Sequence, residues 1–136
     1  MRTFIIIILV LPNFLSCGSP NNAKKKVEPS TKKLAVIFDT DANNELDDQH
    51  ALAYLFSNRD YFDIKAITVN ATWNGGDITG HYNEAERIMK LFKVKEEIPL
   101  LKGANLSFTE IKDDVDTSTF DGFEAVDFII SEAKKR

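Results

Sequence analysis

Acidic side chains crowd one short stretch of this sequence. Four aspartates and one glutamate lie at residues 39–48, between an apolar run and a segment with helical apolar spacing. Carboxylates held this close repel one another unless a positive charge compensates them. Calcium, a hard cation, takes about six to eight oxygen ligands, and carboxylates are prominent among them. We therefore predict a cation site in which Asp41, after a strand, and Asp48, at a helix start, face one point.

Two simpler interpretations account for less of the pattern. Asp47 or Asp48 could cap the following helix, because a carboxylate there accepts unpaired backbone N–H groups and complements the helix dipole. Capping leaves Asp39 and Asp41 unexplained. A calcium loop of the EF-hand type fails at two positions, because Asn44 stands where glycine is required and His50 stands where glutamate is required.

The order of elements is readable from hydrophobic periodicity. We predict strands at residues 34–38, 64–69 and 98–101, and helices at residues 48–56, 81–92 and from 121 onward. Residues 104–119 have no clear period and are predicted to form a long loop. Asp121 and Glu124 have the spacing of a capping box that would open the last helix. His50 and His81 are expected in surface or helix-start positions near the edge of the site.

This order predicts an α/β fold. Strands that alternate with helices form an open, mostly parallel sheet with helices on both faces. Ligands of such sheets bind at the carboxyl ends of the strands. Asp39 and Asp41 follow the first strand and Asn70 follows the second, so we expect all three at the same edge.

The N-terminus has the pattern of an export signal. One positive charge precedes the apolar run FIIIILVL, which is too short for a bilayer span of about 20 residues. The segment LSCG around Cys17, the only cysteine, resembles the lipobox of bacterial lipoproteins. We predict a lipoprotein signal peptide at residues 1–16, a lipidated Cys17 with a polar linker at 17–33, and a folded domain at 34–136. The predicted location is the bacterial cell envelope, with a lipid anchor in the membrane.

The charge balance limits the partners. The chain has 136 residues and a formal net charge of −4. Nucleic-acid binding requires a basic face, so nucleic acid is not expected as a partner. With 43% hydrophobic residues, the chain is predicted to be globular. A small molecule is the expected ligand.

One family resemblance uses only the start of the acidic stretch. Phosphatases of the haloacid-dehalogenase type begin with an apolar strand followed by the motif D-x-D-x-Thr/Val. In AVIFDTDAN, Asp39 would be the nucleophile and Asp41 the general acid and base. Asn43 departs from that motif, and Asp47 and Asp48 are left without a role. This phosphatase is the alternative enzyme.

A closer resemblance is to the inosine- and uridine-preferring nucleoside hydrolases. Their signature is an apolar strand, D-x-D, a short loop, and D-D at the start of a helix, and this sequence has DTD at 39–41 and DD at 47–48. Three later segments resemble family landmarks in the same order: AITVNATWN, IPLLKGA and AVDFII. The acidic loop resembles the longer form of some members, with Asn43 where a glycine is usual.

The resemblance implies a calcium-dependent hydrolysis of the N-glycosidic bond of ribonucleosides, which yields a free base and ribose. Asp41 and Asp48 would bind Ca²⁺, and Asp41 would take a proton from the water on the metal. Asp47 and Asn74 would hydrogen-bond the ribose hydroxyls, with Asn70 as the alternative to Asn74. Asp39 would support the loop.

The resemblance covers roughly residues 34–133 and implies the N-terminal half of the family's fold, with Rossmann-like strand order and about three βα units. The family's second half supplies further calcium and ribose ligands. Whether this chain alone is an enzyme is therefore left open at this stage. The alternative is an inactive nucleoside hydrolase-like lipoprotein, or one that depends on a partner. That partner would be a complementing chain or a second copy.

Overall fold

The computed structural model describes residues 32–117 and 119–135. The predicted signal peptide, Cys17 and most of the predicted linker lie outside the described residues. None of the helices in the described part of the chain is long and apolar enough to cross a lipid bilayer.

The fold is α/β with an open sheet of three parallel strands. The strands are β1 (Leu34–Thr40), β2 (Phe62–Val69) and β3 (Leu100–Lys102), in the spatial order β1-β2-β3. Apolar residues predominate in each strand, and β1 and β2 are also rich in β-branched residues, which favour strands. The three predicted strands are confirmed, and β3 is shorter and begins two residues later than expected.

Four helices follow or separate the strands: α1 (Leu46–Ser57), α2 (Ile78–Leu91), α3 (Phe108–Ile111) and α4 (Phe123–Ala133). Helix α2 begins three residues before the predicted start. The carboxylate of Asp77 accepts hydrogen bonds from the N–H groups of Thr79 and Gly80, which satisfies the first turn. Helix α3 lies inside the segment that was predicted to be a loop and begins with a capping box between Ser107 and Glu110.

The hydrophobic core lies between one face of the sheet and helices α1 and α2. Its buried members come from all of these elements: Leu52, Leu55, Phe56, Ile67, Val69, Ala85, Ile88, Met89 and Leu100. Val36 and Phe38 of β1 pack against this cluster. Ala35 and Ile37 alternate with them and line a groove on the opposite face, together with Ile129 and Ala133 of α4. Both faces of the sheet therefore carry helices.

The predicted capping box at the start of α4 is wrong. Gly122, with a φ of 90°, occupies the N-cap position, and no side chain caps the helix. The carboxylate of Asp121 turns instead to the loop after β3, where it accepts hydrogen bonds from the N–H groups of Asn105 and Leu106 at 2.8 and 2.7 Å. A side chain at residue 122 would also approach the backbone N of Ala104 to 2.6 Å, so glycine is required there for close packing as well as for its φ.

Candidate functional site

The carboxylates of Asp41 and Asp48 lie together where the chain passes from β1 to α1. The Oδ2 atom of Asp48 accepts a hydrogen bond from the backbone N–H of Asp41 at 3.0 Å and another from the hydroxyl of Thr40 at 2.9 Å. Thr40 is the buried last residue of β1, and Asp48 lies in the first turn of α1. The end of the strand thus fixes the carboxylate of Asp48 before any ligand binds.

The pKa values of the two carboxylates are shifted in opposite directions. Burial, followed by a hydrogen bond with the carboxyl of Asp41, raises the pKa of Asp48 above its ordinary range. Burial also acts to raise the pKa of Asp41, but hydrogen bonds from Asp48 and Asn44, together with the nearby hydroxyl of Thr72, outweigh it and leave that pKa lowered. Asp48 therefore holds a proton more readily than Asp41 does, and the two groups act as a pair. A bound cation would replace that proton and remove the repulsion.

Asp39 is held by both of its oxygens. Its Oδ1 accepts a hydrogen bond from the hydroxyl of Thr68 at 2.6 Å, and its Oδ2 accepts one from the amide of Asn70 at 2.6 Å. Thr68 and Asn70 belong to the carboxyl end of β2 and the loop after it, next to β1 in the sheet. These contacts suit a residue that supports the site edge. Asn70, the alternative to Asn74 for ribose, is engaged here.

The two residues expected to bind ribose lie at the surface. Asp47 is exposed in the first turn of α1, and Asn74 is exposed in a turn at residues 72–76. Within the described residues, neither side chain forms a hydrogen bond with Asp41 or Asp48. Trp73, beside Asn74, is 98% exposed. The surface of this turn is therefore free to meet a ligand that the carboxylates hold.

His81 is a buried residue of this region, and its burial was not predicted from the sequence. It lies in the first half of α2 and has no exposed surface, so the helix-start expectation holds and the surface expectation is wrong. Its Nδ1 accepts a hydrogen bond from the backbone N–H of Asn43 at 3.2 Å. The signal was present in the spacing, because His81, Ala85 and Ile88 lie on one helical face. His50, in α1, is exposed.

Two buried polar atoms lie against the turn that carries Asn74. Among the described residues, the buried side-chain atoms that lack a hydrogen-bond partner are Thr72 Oγ1 and His81 Nε2. Thr72 lies close enough to Asp41 to contribute to lowering the pKa of that carboxyl. Gly75 covers both atoms, because a Cβ on it would meet Thr72 Oγ1 first and would lie 3.0 Å from His81 Nε2.

The donor set fits one side of a cation shell. Asp41 and Asp48 offer carboxylate oxygens at one point, and the side chain of Asn44 already contacts Asp41 through its amide nitrogen at 3.0 Å. No group of three or more histidine, cysteine, aspartate or glutamate side chains arranged for a metal occurs within residues 32–117 and 119–135. Two carboxylates suit a hard cation such as calcium, with the other oxygens supplied by water, backbone or ligand.

Comparisons of this chain with protein-family models, with curated proteins and with solved structures find no match.

Proposed function

We propose that this chain is a nucleoside hydrolase-like protein that binds calcium and hydrolyses the N-glycosidic bond of ribonucleosides. One observation carries the proposal: Asp41 and Asp48, from separate elements, meet at the carboxyl end of β1 with shared hydrogen bonds and opposite pKa shifts. Carboxylates in this state are suited to a cation, and this edge of a parallel sheet is where ligands bind.

Each carboxylate has a distinct part in the proposed reaction. Calcium held by Asp41 and Asp48 would lower the pKa of its bound water and coordinate the ribose hydroxyls. Asp41, whose pKa is lowered, stays ionised at neutral pH and is positioned to accept a proton from the attacking water. The negative charge of the site favours the oxocarbenium-like state that develops as the bond to the base breaks. Water would add to the anomeric carbon as the bond to the base nitrogen breaks. The nitrogen would keep the bonding electron pair and take a proton from solvent, Asp41 would later return its proton to solvent, and ribose and the free base would leave.

The surface turn supplies the remaining contacts. Asp47, next to Asp48 in sequence, and Asn74, in the turn after β2, are both exposed. Asp47 would accept hydrogen bonds from ribose hydroxyls, and Asn74 would donate or accept them. The exposed indole of Trp73 offers a flat apolar surface for the base. The proposed substrate is therefore a small riboside, and the base that is preferred is left open.

Assays on the full chain separate this function from the phosphatase. Ribose release from inosine and uridine should require calcium and should be abolished in Asp41→Asn, while Asp113→Asn, an exposed aspartate of the loop after α3, should be unaffected. A phosphatase would instead release phosphate from p-nitrophenyl phosphate with magnesium and would lose that activity in Asp39→Asn. The two hydrogen bonds that Asp39 accepts favour a supporting role over a nucleophilic one.

The second candidate is a protein that hydrolyses ribosides only with a partner. The specific observation that favours it is the donor set, because two carboxylates leave most of a calcium shell of about six to eight oxygens to other groups. A complementing chain or a second copy would supply them. Activity that rises more than linearly with protein concentration, or that appears on addition of an envelope extract and copurifies with one second chain, would support the partner.

We also propose that the chain is exported and anchored through Cys17. The support is the sequence pattern of residues 1–17, which lie outside the described part of the structure. Intact mass of protein extracted from bacterial membranes tests it. A lipidated chain that begins at Cys17 is expected, and Cys17→Ser should release an unprocessed precursor instead. A processed chain without lipid would overturn the anchor.

A further inference from the structure

The unpaired atoms of Thr72 and His81 require an explanation. Buried polar side chains in folded proteins nearly always have a hydrogen-bond partner, because an unpaired one loses its hydrogen bonds to water without replacing them. In the described residues the two exceptions, Thr72 Oγ1 and His81 Nε2, meet at one place, under Gly75. They come from different elements, the turn after β2 and helix α2, so their coincidence is a property of the site.

The hydrogen bond at the other ring nitrogen defines what His81 can do. Because Nδ1 accepts the N–H of Asn43, it carries no proton, and the neutral ring must carry its proton on Nε2. His81 therefore presents an N–H donor toward Gly75. The hydroxyl of Thr72 can both donate and accept. One oxygen atom of a ligand can satisfy both groups, because it can accept a hydrogen bond from His81 Nε2 and also pair with the hydroxyl of Thr72.

Thr72 brings the two unpaired atoms close to the acidic pair. Thr72 lies near Asp41 on one side and next to Gly75 on the other. The cover is a short turn closed by a bridge between Thr72 and Gly76, and Gly76 has a φ of 89° with open space around it. Binding of a ligand at the two polar atoms requires a displacement of this turn, and glycines allow such a change at little cost.

We propose that Thr72 and His81 form an oxygen-binding subsite that takes one hydroxyl of a sugar whose other hydroxyls lie at Asp41 and Asp48. This inference rests on the sugar-binding half of the proposed function and does not require hydrolysis. Nε2 of His81 donates to the sugar oxygen, and the hydroxyl of that sugar carbon donates to Thr72. His81 has a second part, because its Nδ1 holds the acidic loop through Asn43.

Three substitutions separate the two ring nitrogens. The amide of asparagine reaches the depth of Nδ1, so His81→Asn retains an acceptor for Asn43 and loses the Nε2 donor. The amide of glutamine reaches the depth of Nε2, so His81→Gln retains the donor and loses the Asn43 contact. Thr72→Val removes the hydroxyl with little change in shape. All are made in the full chain, with thermal unfolding as the check that each variant folds.

The measurements are terbium luminescence for cation affinity and saturation-transfer NMR with ribose at saturating calcium. We expect His81→Asn and Thr72→Val to weaken ribose binding about tenfold, or about 1.4 kcal/mol, with cation affinity within about twofold of the parent. We expect His81→Gln to show the reverse pattern. Equal effects of His81→Asn and His81→Gln on both ligands, or no saturable ribose binding by the parent chain, would overturn the subsite.

The outcome is separable from that of the proposed function. A chain that binds ribose with this crossed pattern but releases none from inosine or uridine would keep the subsite and refute the hydrolase. A chain that hydrolyses ribosides with unchanged constants in His81→Asn and Thr72→Val would keep the hydrolase and refute the subsite.

Discussion

The backbone N–H of Asp41 donates a hydrogen bond to the side chain of Asp48 at 3.0 Å. This bond ties the residue after β1 to the first turn of α1, so the acidic loop closes on itself through a carboxylate. The hydroxyl of Thr40, which is 2% exposed, donates to the same oxygen. Two donors from a strand end thus orient a helix carboxylate toward a second carboxylate. In the metal-free protein, a proton on Asp48 relieves the repulsion between the two carboxylates.

The first prediction concerns the pH dependence of the metal-free protein. The pKa of Asp48 is raised above its ordinary value of 3.8, so between that value and the raised pKa the folded state binds more protons than the unfolded state. Stability from this group is therefore present at low pH and is lost as the pH rises through the window. Asp48→Asn should remove that loss and leave the metal-free protein at pH 7 as stable as the parent, or more stable by up to about 1 kcal/mol.

Urea unfolding from pH 4 to 7.5 in the presence of a chelator measures the pH dependence of the free energy of unfolding. Asp41 works with the opposite sign, because its lowered pKa gives stability that is lost as the pH falls. Asp41→Asn therefore serves as the matched control and should weaken the metal-free protein at pH 7. Added calcium should stabilise the parent by mass action and neither variant. A variant pair that responds identically to pH would contradict the assignment of the raised pKa to Asp48.

The second prediction concerns Asp39 and the buried hydroxyl beside it. Thr68 has no exposed surface, and its hydroxyl donates to Asp39 at 2.6 Å. Asp39→Ala leaves that donor unpaired, so we expect the free energy of unfolding to fall by about 1–3 kcal/mol. Asp113→Ala, at an exposed loop position, should change it by less than about 0.5 kcal/mol. Equal stability of the two variants in denaturant titrations would show that the Asp39 contact does not stabilise the sheet edge.

Much of the framework is readable from local patterns. The apolar run at residues 34–38 of β1 is continuous because both faces of a parallel strand are covered, and this pattern has few other interpretations. The spacing of the acidic residues places Asp41 and Asp48 on either side of a strand-to-helix connection, which makes their meeting predictable. The local sequence pattern and the geometry of neighbouring residues are sufficient for both inferences.

Contacts between distant segments were not predictable in the same way. His81 follows Asn43 by thirty-eight residues, and nothing local indicates that an imidazole in α2 accepts an N–H from the acidic loop. Asp121 has the spacing of a helix cap but is used by the loop sixteen residues earlier. A carboxylate can satisfy either set of N–H groups, and the choice depends on tertiary packing around Gly122.

The third prediction tests that use of Asp121. Its carboxylate holds the N–H groups of Asn105 and Leu106, and the side chain of Asn105 in turn accepts the N–H of Ile78, the first residue of α2, at 2.9 Å. Asp121→Ala should lower the free energy of unfolding by about 1–2 kcal/mol, since these bonds have a charged acceptor but are exposed. Amide exchange at Ile78 should accelerate.

The matched control for the third prediction is Glu124→Ala. Glu124 would be the partner of Asp121 in a capping box, but its side chain lies 3.5 Å from the N–H of Lys102, at the limit of a hydrogen bond. We expect this variant to lose less stability than Asp121→Ala and to leave Ile78 exchange unchanged. The opposite order would restore the capping box as the stabilising contact.

The fourth prediction concerns the cover over His81. A methyl group at Gly75 would press most closely on Thr72 Oγ1 and would lie 2.8 Å from His81 Cε1. The imidazole is fully buried and held at Nδ1, so the turn must move, and Gly75→Ala should lower the free energy of unfolding by about 1–3 kcal/mol. Adding Thr72→Ala should restore part of that loss, because it removes the closest contact.

Gly80→Ala is the control, since its Cβ meets the side-chain amide of Asn43 at 3.1 Å. The chain has two histidines, so the Cε1–H resonance of His81 is readily assigned by NMR and should shift in Gly75→Ala alone. Additive stability losses for Gly75→Ala and Thr72→Ala would contradict a contact between residues 72 and 75.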